Sequence, residues 1–445
     1  MAQLKATDRL AILAGRAATW ASQTTGKGSG GMIGGTIALK VAPHIARNIA
    51  QTMKVALVTG TNGKSTTTKM LNAALRAHPQ ASASRSVAWN SRGDNMFEGI
   101  TSALITSPHA TFATLEVDEM HIQRVATHVQ PSAFILLNLS RDQLDRVGEI
   151  AKVERRIRDT VESYPGAVVI ANCDDPLIAS AAWDCPHVVW VGAGVSWHAD
   201  AASFPRTGTR VHFDSSGHWY VPDSPYSRPT PTWRIDADAP ASPPTLVTPY
   251  GNYPLHLALP GSANLGNAAQ AIACAVALGV EPSTAVEAVS HVGEVAGRYA
   301  HYAIDGKEVR MLLAKNPAGW QEALTMIDPH AGTVVFAVNG QVADSVDLSW
   351  IWDVDFENAL HLPPHCEVIV AGERAEDLLV RLRYAGITAR LERSPWKAIH
   401  SAAPSEARRI ELLANYTAFR DLTAYLKKAG YTPPQNTRHD PTGGK

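Results

Sequence analysis

Residues 55–66 read VALVTGTNGKST, and this stretch decides the fold class. VALVTG (55–60) is an apolar run closed by a glycine turn, the pattern of a strand buried on both faces. From Lys64 to about His78, Met70, Leu71, Ala74 and Leu75 recur at helical spacing, so a helix follows with that face inward. GTNGKST (60–66) lies between the two, where backbone N–H groups and a helix N-terminus converge on phosphate oxygens. Lys64 is placed to reach terminal phosphates, and the Ser65 hydroxyl to bind Mg²⁺. The spacing departs from G-x-x-x-x-G-K-[ST], because Val58 stands at the first glycine position. A glycine turn with a chance lysine is the alternative; the order strand, loop, Lys-Ser, helix argues against it.

Working outward, further apolar strands are expected at TFATLEV (111–117), SAFILLNL (132–139) and AVVIAN (167–172). Helix-like segments separate them, which implies an α/β fold with a mostly parallel sheet covered on both faces. From about Ser196 to Pro249 the composition turns to Pro, Ser, Thr and Asp, with Trp219, Tyr220, Tyr226 and Trp233 among them. That change predicts a small β-rich insertion rather than a continuation of the sheet. The α/β pattern resumes with an Ala-rich helix over 264–279, and a second α/β unit starts near Tyr299 with strands at VRMLLA, TVVFAVN and EVIVAG. Ahead of the phosphate loop, Leu10, Leu13, Ala17 and Trp20 share one helical face; packing against the rest of the protein is expected, membrane-surface contact being the other use. The expected division is therefore an N-terminal helical segment (1–50), a central phosphate-binding domain (51–296, insertion about 196–250) and a C-terminal α/β Rossmann-like domain (297–431). A polar tail (432–445), expected to be mobile, completes it.

Composition narrows the class. Apolar residues at 45% and charged ones at 18% fit a soluble globular enzyme, and 445 residues exceed one ordinary core. Lys+Arg 40 against Asp+Glu 41 leaves a net charge of -1, so no overall basic field points to nucleic acid. Four cysteines (Cys173, Cys185, Cys274, Cys366), irregularly spaced, suggest a reducing cytoplasm rather than a disulfide framework. None sits in a glycine-flanked strand-to-helix elbow, so none reads as an activated nucleophile.

The short loop G-T-N-G-K-[ST] resembles the ATP loop of the Mur ligases and folylpolyglutamate synthases. NSRGDN (90–95), LEVDE (115–119), LNLSRDQLDRVGE (137–149), NCDDP (172–176), GSANLGNAAQA (261–271) and GR (297–298) follow in that superfamily's order. AKNPAG (314–319), ADSVDLSWIWDVDFE (343–357) and AGERAEDLLVRLRYAG (371–386) resemble the MurT family in particular. Two tryptophans in Ser349-Trp350-Ile351-Trp352-Asp353 make that last likeness specific.

The resemblance implies a Mur-type ATPase domain and a ligase that amidates the α-carboxylate of D-glutamate in lipid II. The carboxylate would be activated as an acyl phosphate, with ATP and Mg²⁺ as cofactors. Ammonia would come from a separate GatD-type glutaminase subunit, and the place of action would be the cytoplasmic face of the membrane. Gly60, Thr61, Asn62, Gly63, Lys64, Ser65 and Thr66 would hold the nucleotide, with Asn267 and Arg298 as base and phosphate contacts. Glu116 matches the glutamate that supports Mg²⁺; a strand-end carboxylate with no metal role is its other reading. Asp142 and Asp145 divide between substrate contact and a solvated helix face, and Lys315 and Asn316 between nucleotide contact and structural duty. Asp347 matches the aspartate proposed for the ammonia step; the alternative is an acidic loop of Asp344, Asp347, Asp353 and Asp355 that only caps helices.

Two departures from the MurT pattern stand out. Asn339-Gly340-Gln341-Val342-Ala343-Asp344-Ser345 replaces the usual N-D-x-x-A-D-G. The four zinc-ribbon cysteine positions fall on Phe204, Thr207, Val221 and Ser224, which cannot form a thiolate site, so no zinc is expected. Competing readings are a Mur ligase adding an amino acid to a UDP-sugar precursor, a folylpolyglutamate-synthase-like ligase, and a non-catalytic nucleotide-binding scaffold. The SWIWDVDFE region argues against the first two, and intact Lys64, Ser65 and Glu116 against the third.

Overall fold

The computed structural model describes residues 4–24, 31–81, 87–91, 93–141, 150–195, 197–236, 243–293, 299–344, 347–362, 366–402 and 409–432. These form two compact units, one ending at Gly293 and the other comprising residues from 299 onward. The expected tail beyond 432 lies outside the described residues.

The first unit opens with helices α1 (Ala6–Thr24), α2 (Ile33–Val41) and α3 (Ile45–Ala50). Then come β1 (Lys54–Thr59), α4 (Lys64–Arg76), β2 (Val87–Trp89), α5 (Phe97–Thr106), β3 (Phe112–Glu116), α6 (Ile122–Val129) and β4 (Ala133–Leu136). α7 (Ile150–Glu162), β5 (Val168–Asn172), α8 (Pro176–Ala182) and β6 (Val188–Gly192) continue the alternation. β7 (His212–Phe213), β8 (Trp219–Tyr220), β9 (Trp233–Asp236), β10 (Thr245–Thr248) and β11 (Gly251–Pro254) precede α9 (Ser262–Ala277) and α10 (Pro282–Ser290). The main sheet runs β11-β10-β9-β6-β5-β4-β1-β3-β2, with β1 parallel to both β3 and β4.

β1 shows why the apolar run is continuous. Val55 and Leu57 enter the core that contains Ile45, Ile100 and Leu115, while Ala56 and Val58 enter the opposite one with Met70, Leu71 and Leu75. Both faces are covered, so residues 55–58 are all apolar, and the buried Thr59 that ends the strand donates to the Val117 carbonyl. The insertion divides. β7 and β8 form a separate hairpin, whereas β9 pairs in parallel with β6 (Val191↔Trp233) and carries β10 and β11 onto the main sheet. The later half of the insertion thus continues the sheet, contrary to expectation.

α1 also packs differently from expectation. Its inner face is Ala11, Ile12 and Gly15, and a Cβ on Gly15 would stand 2.6 Å from the Gly34 carbonyl oxygen of α2. Small residues let the two helices approach closely. Leu10, Leu13 and Trp20 are left facing outward.

The second unit holds β12 (Tyr299–Ile304), β13 (Lys307–Leu313), α11 (Pro317–Thr325), β14 (Thr333–Ala337), α12 (Phe356–Ala359), β15 (Glu367–Ala371) and α13 (Ala375–Tyr384). It ends with β16 (Arg390–Leu391), α14 (Pro395–Ser401), β17 (Arg409–Ala414) and α15 (Tyr416–Lys428). Its sheet order is β12-β13-β17-β14-β15-β16, parallel except for the β12–β13 hairpin. Trp350, Ile351, Val354 and Phe356 of the SWIWDVDFE stretch enter the core beside Trp320 and Phe336, which accounts for its apolar content.

Candidate active site

The loop between β1 and α4 is stitched to the segment that follows β4. Thr61 N donates to the Asn138 carbonyl oxygen (2.9 Å), Asn62 N to Asn138 Oδ1 (2.9 Å), and Asn138 Nδ2 to the Asn62 carbonyl (3.1 Å). Thr61 Oγ1 donates to the Ser140 carbonyl and accepts from Ser140 N. Such bonds hold a phosphate cradle in shape before ligand arrives. Gly63 adopts φ +85°, and a Cβ there would lie 2.6 Å from Asn267 Oδ1, so the turn admits only glycine. That contact also brings Asn267, on the first half of α9, against the loop. Ser65 and Thr66 occupy the first turn of α4, where the helix dipole favours anions.

Lys64 is buried, and its Nζ donates to the carbonyls of Gly60 and Thr61 and to Glu119 Oε1 (3.1 Å). Burial pushes the Glu119 carboxyl above its ordinary range, and the Lys64 cation partly offsets this. Of the two glutamates in LEVDE, Glu116 is the one expected at the site, yet it is Glu119 that meets the loop lysine. Glu116 ends β3 opposite Val58 and is buried, with Asn90 gripping its backbone on both sides (2.9 and 2.8 Å). A Cβ on Gly93 would lie 4.0 Å from Glu116 Oε2, so NSRGDN and LEVDE meet at this carboxylate. The donors suited to Mg²⁺ are thus the Ser65 hydroxyl and Glu116, both hard oxygens. Among the described residues no group of three or more His, Cys, Asp or Glu is arranged to hold a metal alone. A cation here would share its coordination with phosphate oxygens.

Asp175 of NCDDP caps α8 and accepts the Leu139 N–H (2.8 Å), tying β5 to the segment beyond β4. Burial raises its carboxyl to about 6. Arg298, Asp142 and Asp145 lie outside the described residues. Asn316 caps α11 through Gly319 N, and Lys315 lies over the Tyr416 ring, 5.3 Å from its centroid.

In the second unit, Asp347 is exposed at the rim of a cavity of about 310 Å³ lined also by Ser349, Ile351, Trp352, Arg374 and Val380. The Ser349 backbone N–H donates to Asp347 Oδ1 (2.8 Å) and holds its carboxyl below the usual range. Its neighbours differ in duty. Asp344 is buried and accepts from Thr417 N (2.9 Å), while Asp355 caps α12. Despite the altered 339–345 sequence, Asn339 and Asn415 exchange hydrogen bonds that fasten the loop to the start of α15. Arg381 anchors the following turn through Glu357 and the Val354 carbonyl, each at 2.7 Å.

The expected ribbon positions house an apolar cluster. Phe204 and Val221 are buried with Trp219 and Val211, and Phe204 lies 5.6 Å from Trp219 and 4.7 Å from Tyr226 between ring centroids. Thr207 N and Gly208 N donate to the Phe204 carbonyl, and Ser224 Oγ to that of Val221, so two turns close around the rings. Burial pushes all four thiols up: Cys185 and Cys366 to about 11, Cys274 to about 12, and Cys173 further. None is activated.

Known proteins place this architecture. The profile of the Mur ligase middle domain matches residues 58–275. The pseudomurein peptide ligase type C from Methanothermus fervidus superposes with TM-score 0.65 at 17% identity, covering 86% of this chain and 80% of that one. A MurF from Acinetobacter baumannii gives 0.63 at 17%, covering 88% and 80%. The fold is therefore that of the Mur ligases. The MurT ligase C-terminal profile matches residues 313–419. The lipid II isoglutaminyl synthase (glutamine-hydrolyzing) subunit MurT of Staphylococcus aureus (strain COL) is 29% identical over 94% of this chain and 98% of its own length. The same subunit from Streptococcus pneumoniae (strain ATCC BAA-255 / R6) is 28% identical over 93% and 96%. The chain belongs to the MurT family of the Mur ligase superfamily.

Proposed function

We propose that this chain is the ATP-dependent ligase subunit that amidates the α-carboxylate of D-glutamate in lipid II, with ammonia delivered by a separate GatD-type glutaminase subunit at the cytoplasmic face of the membrane. The observation that carries the reading is the pairing, in one chain, of a pre-shaped phosphate loop with a MurT-type C-terminal unit exposing Asp347. The relatives named MurT are subunits of a glutamine-hydrolysing enzyme. The four raised thiols support leaving glutamine hydrolysis to a partner.

A carboxylate resists attack by ammonia because its charge repels the nucleophile and it offers no leaving group. Transfer of a phosphoryl group to it, giving an acyl phosphate, removes both obstacles. The loop backbone from Gly60 to Thr66 and the α4 N-terminus bind phosphate oxygens, and Asn267 closes the loop's turn. Lys64 places a cation where charge accumulates during transfer. Mg²⁺, held by Ser65 with Glu116 in support, would neutralise phosphate charge. Asp347, ionised and exposed, orients or deprotonates the incoming nitrogen.

The test is product formation by the purified chain with lipid II, ATP and Mg²⁺. Free ammonium at high pH should support amidation by the chain alone, and glutamine only after the glutaminase subunit is added. Glutamine-dependent amidation by the single chain, or none under any of these conditions, would remove the reading.

A further inference from the structure

The segment ahead of the main sheet has a charge of its own. Residues 1–53 contain six Lys or Arg and one acid, Asp8, in a chain whose overall charge is -1. That acid is hidden: Asp8 is buried and accepts from Asn48 Nδ2 (3.1 Å) and the Lys5 backbone N–H (3.0 Å). Lys5, Arg9, Arg16, Lys40 and Arg47 are exposed. Arg16 donates through Nε and Nη2 to the Ile105 and Thr106 carbonyls, not to a carboxylate. The surface here shows cations without anions of its own.

On α1 this charge flanks an apolar stripe. At 3.6 residues per turn, Leu10, Leu13, Ala17 and Trp20 fall opposite the Ala11–Gly15 face that packs on α2. Leu10, Leu13 and Trp20 are 59%, 64% and 68% exposed. Single exposed apolar residues are ordinary; three large ones on one stripe mark an interaction face. Met32 and Ile33, at the start of α2, add exposed apolar surface near the Thr19 end of α1. Among the described residues no helix is long and apolar enough to cross a membrane, so the stripe does not span one. A cationic amphipathic helix with a terminal tryptophan suits the plane of a lipid interface, where apolar side chains enter the acyl boundary and cations meet lipid phosphates.

We propose that α1 docks the protein on an anionic lipid surface, with Leu10, Leu13 and Trp20 inserted and Lys5, Arg9 and Arg16 over the headgroups. This deepens the amidation reading, which supplies a lipid-linked substrate as the reason for residence there, but its test uses neither substrate nor nucleotide. The full chain is floated with vesicles of phosphatidylcholine alone or mixed with phosphatidylglycerol. Binding should need the anionic lipid and weaken with salt. The variant Leu10→Ser/Leu13→Ser/Trp20→Ser should bind about thirtyfold less tightly or worse while keeping its thermal midpoint. No flotation with anionic vesicles, equal binding to neutral ones, or an unchanged variant would overturn the proposal. So would a dimer, or a glutaminase complex, that the same substitutions dissolve. Failed amidation of detergent-dispersed lipid II would strike the functional reading and leave docking intact.

Discussion

Replacing Lys64 with Ala should separate what this lysine does for the fold from what it does for the chemistry. Its Nζ neutralises Glu119 at 3.1 Å, and the two side chains are only 10% and 14% exposed. Breaking a fully buried ion pair costs about 3–5 kcal/mol, and the residual exposure puts this one at the lower end, about 3 kcal/mol. At about 2 °C per kcal/mol for a unit of this size, the midpoint should fall by roughly 6 °C. The loss should depend on pH. Glu119 already has its folded pKa above the ordinary 4.5, so its contribution is fully present at lower pH and is lost as pH rises through the folded value. Removing the cation that opposes this shift raises the folded pKa further. The gap between Lys64→Ala and the parent should therefore be small below pH 4.5 and widen toward neutrality. Lys64→Ala/Glu119→Gln should recover most of the midpoint, because an amide costs less to bury than an unpaired carboxylate. Amidation should stay down by at least about a hundredfold in both variants, since neither restores a cation at the transferring phosphoryl. Scanning calorimetry across pH and a product assay read the two arms. Near-normal turnover in Lys64→Ala would refute the catalytic part; a midpoint unmoved at neutral pH would refute the buried-pair part.

Phe204→Ala removes a fully buried ring packed on Trp219 and Tyr226, and should cost about 3–4 kcal/mol with a red shift of tryptophan emission as Trp219 is wetted; an unchanged midpoint would show that the cluster does not hold the insertion. Elemental analysis should find no stoichiometric zinc, and a chelator should leave the midpoint unchanged, because Phe204, Thr207, Val221 and Ser224 offer no thiolate. One zinc per chain would mean that those positions were wrongly matched. Asp347→Asn should abolish glutamine-driven product while the complex with the glutaminase still assembles in a pull-down. Full amidation by that complex would remove Asp347 from the mechanism.

The strands that flank the phosphate loop were legible because burial on both faces leaves an apolar run with no competing period. VALVTG, TFATLEV and AVVIAN lie within a residue or two of β1, β3 and β5. The insertion was harder. Trp233–Asp236 alternates buried and exposed residues in a proline-rich neighbourhood, and its place beside β6 depends on a long-range pairing that no local pattern encodes. α1 misled for a physical reason. Periodicity shows which residues share a face, and the large side chains of Leu10, Leu13 and Trp20 made theirs the stronger signal. Close helix packing instead selected the face of small residues, Ala11 and Gly15, where α2 approaches within contact of the backbone.

The same distinction governs the site. The loop glycines, Lys64 and Ser65 that we propose for phosphate stand out in sequence because such recognition is mainly backbone geometry between adjacent elements, and its residues are contiguous. Partners that reach the loop from elsewhere are not contiguous: Asn138 arrives from beyond β4, Asn267 from α9 and Glu119 from the turn after β3. Glu116 and Glu119 stand three residues apart in one motif, and composition cannot rank them. What separates them is that the chain leaves the strand after Glu116. Glu116 therefore keeps its place in the β1–β3 register beside Gly93, while the turn swings Glu119 back to the loop lysine. Glu119 meets the cation the protein carries itself, and Glu116 is the carboxylate we propose for a cation bound with phosphate. Glu116→Gln should accordingly raise the Mg²⁺ concentration needed for turnover without the pH-dependent loss of stability expected of Lys64→Ala, and a midpoint loss matching that variant's would collapse the two roles into one.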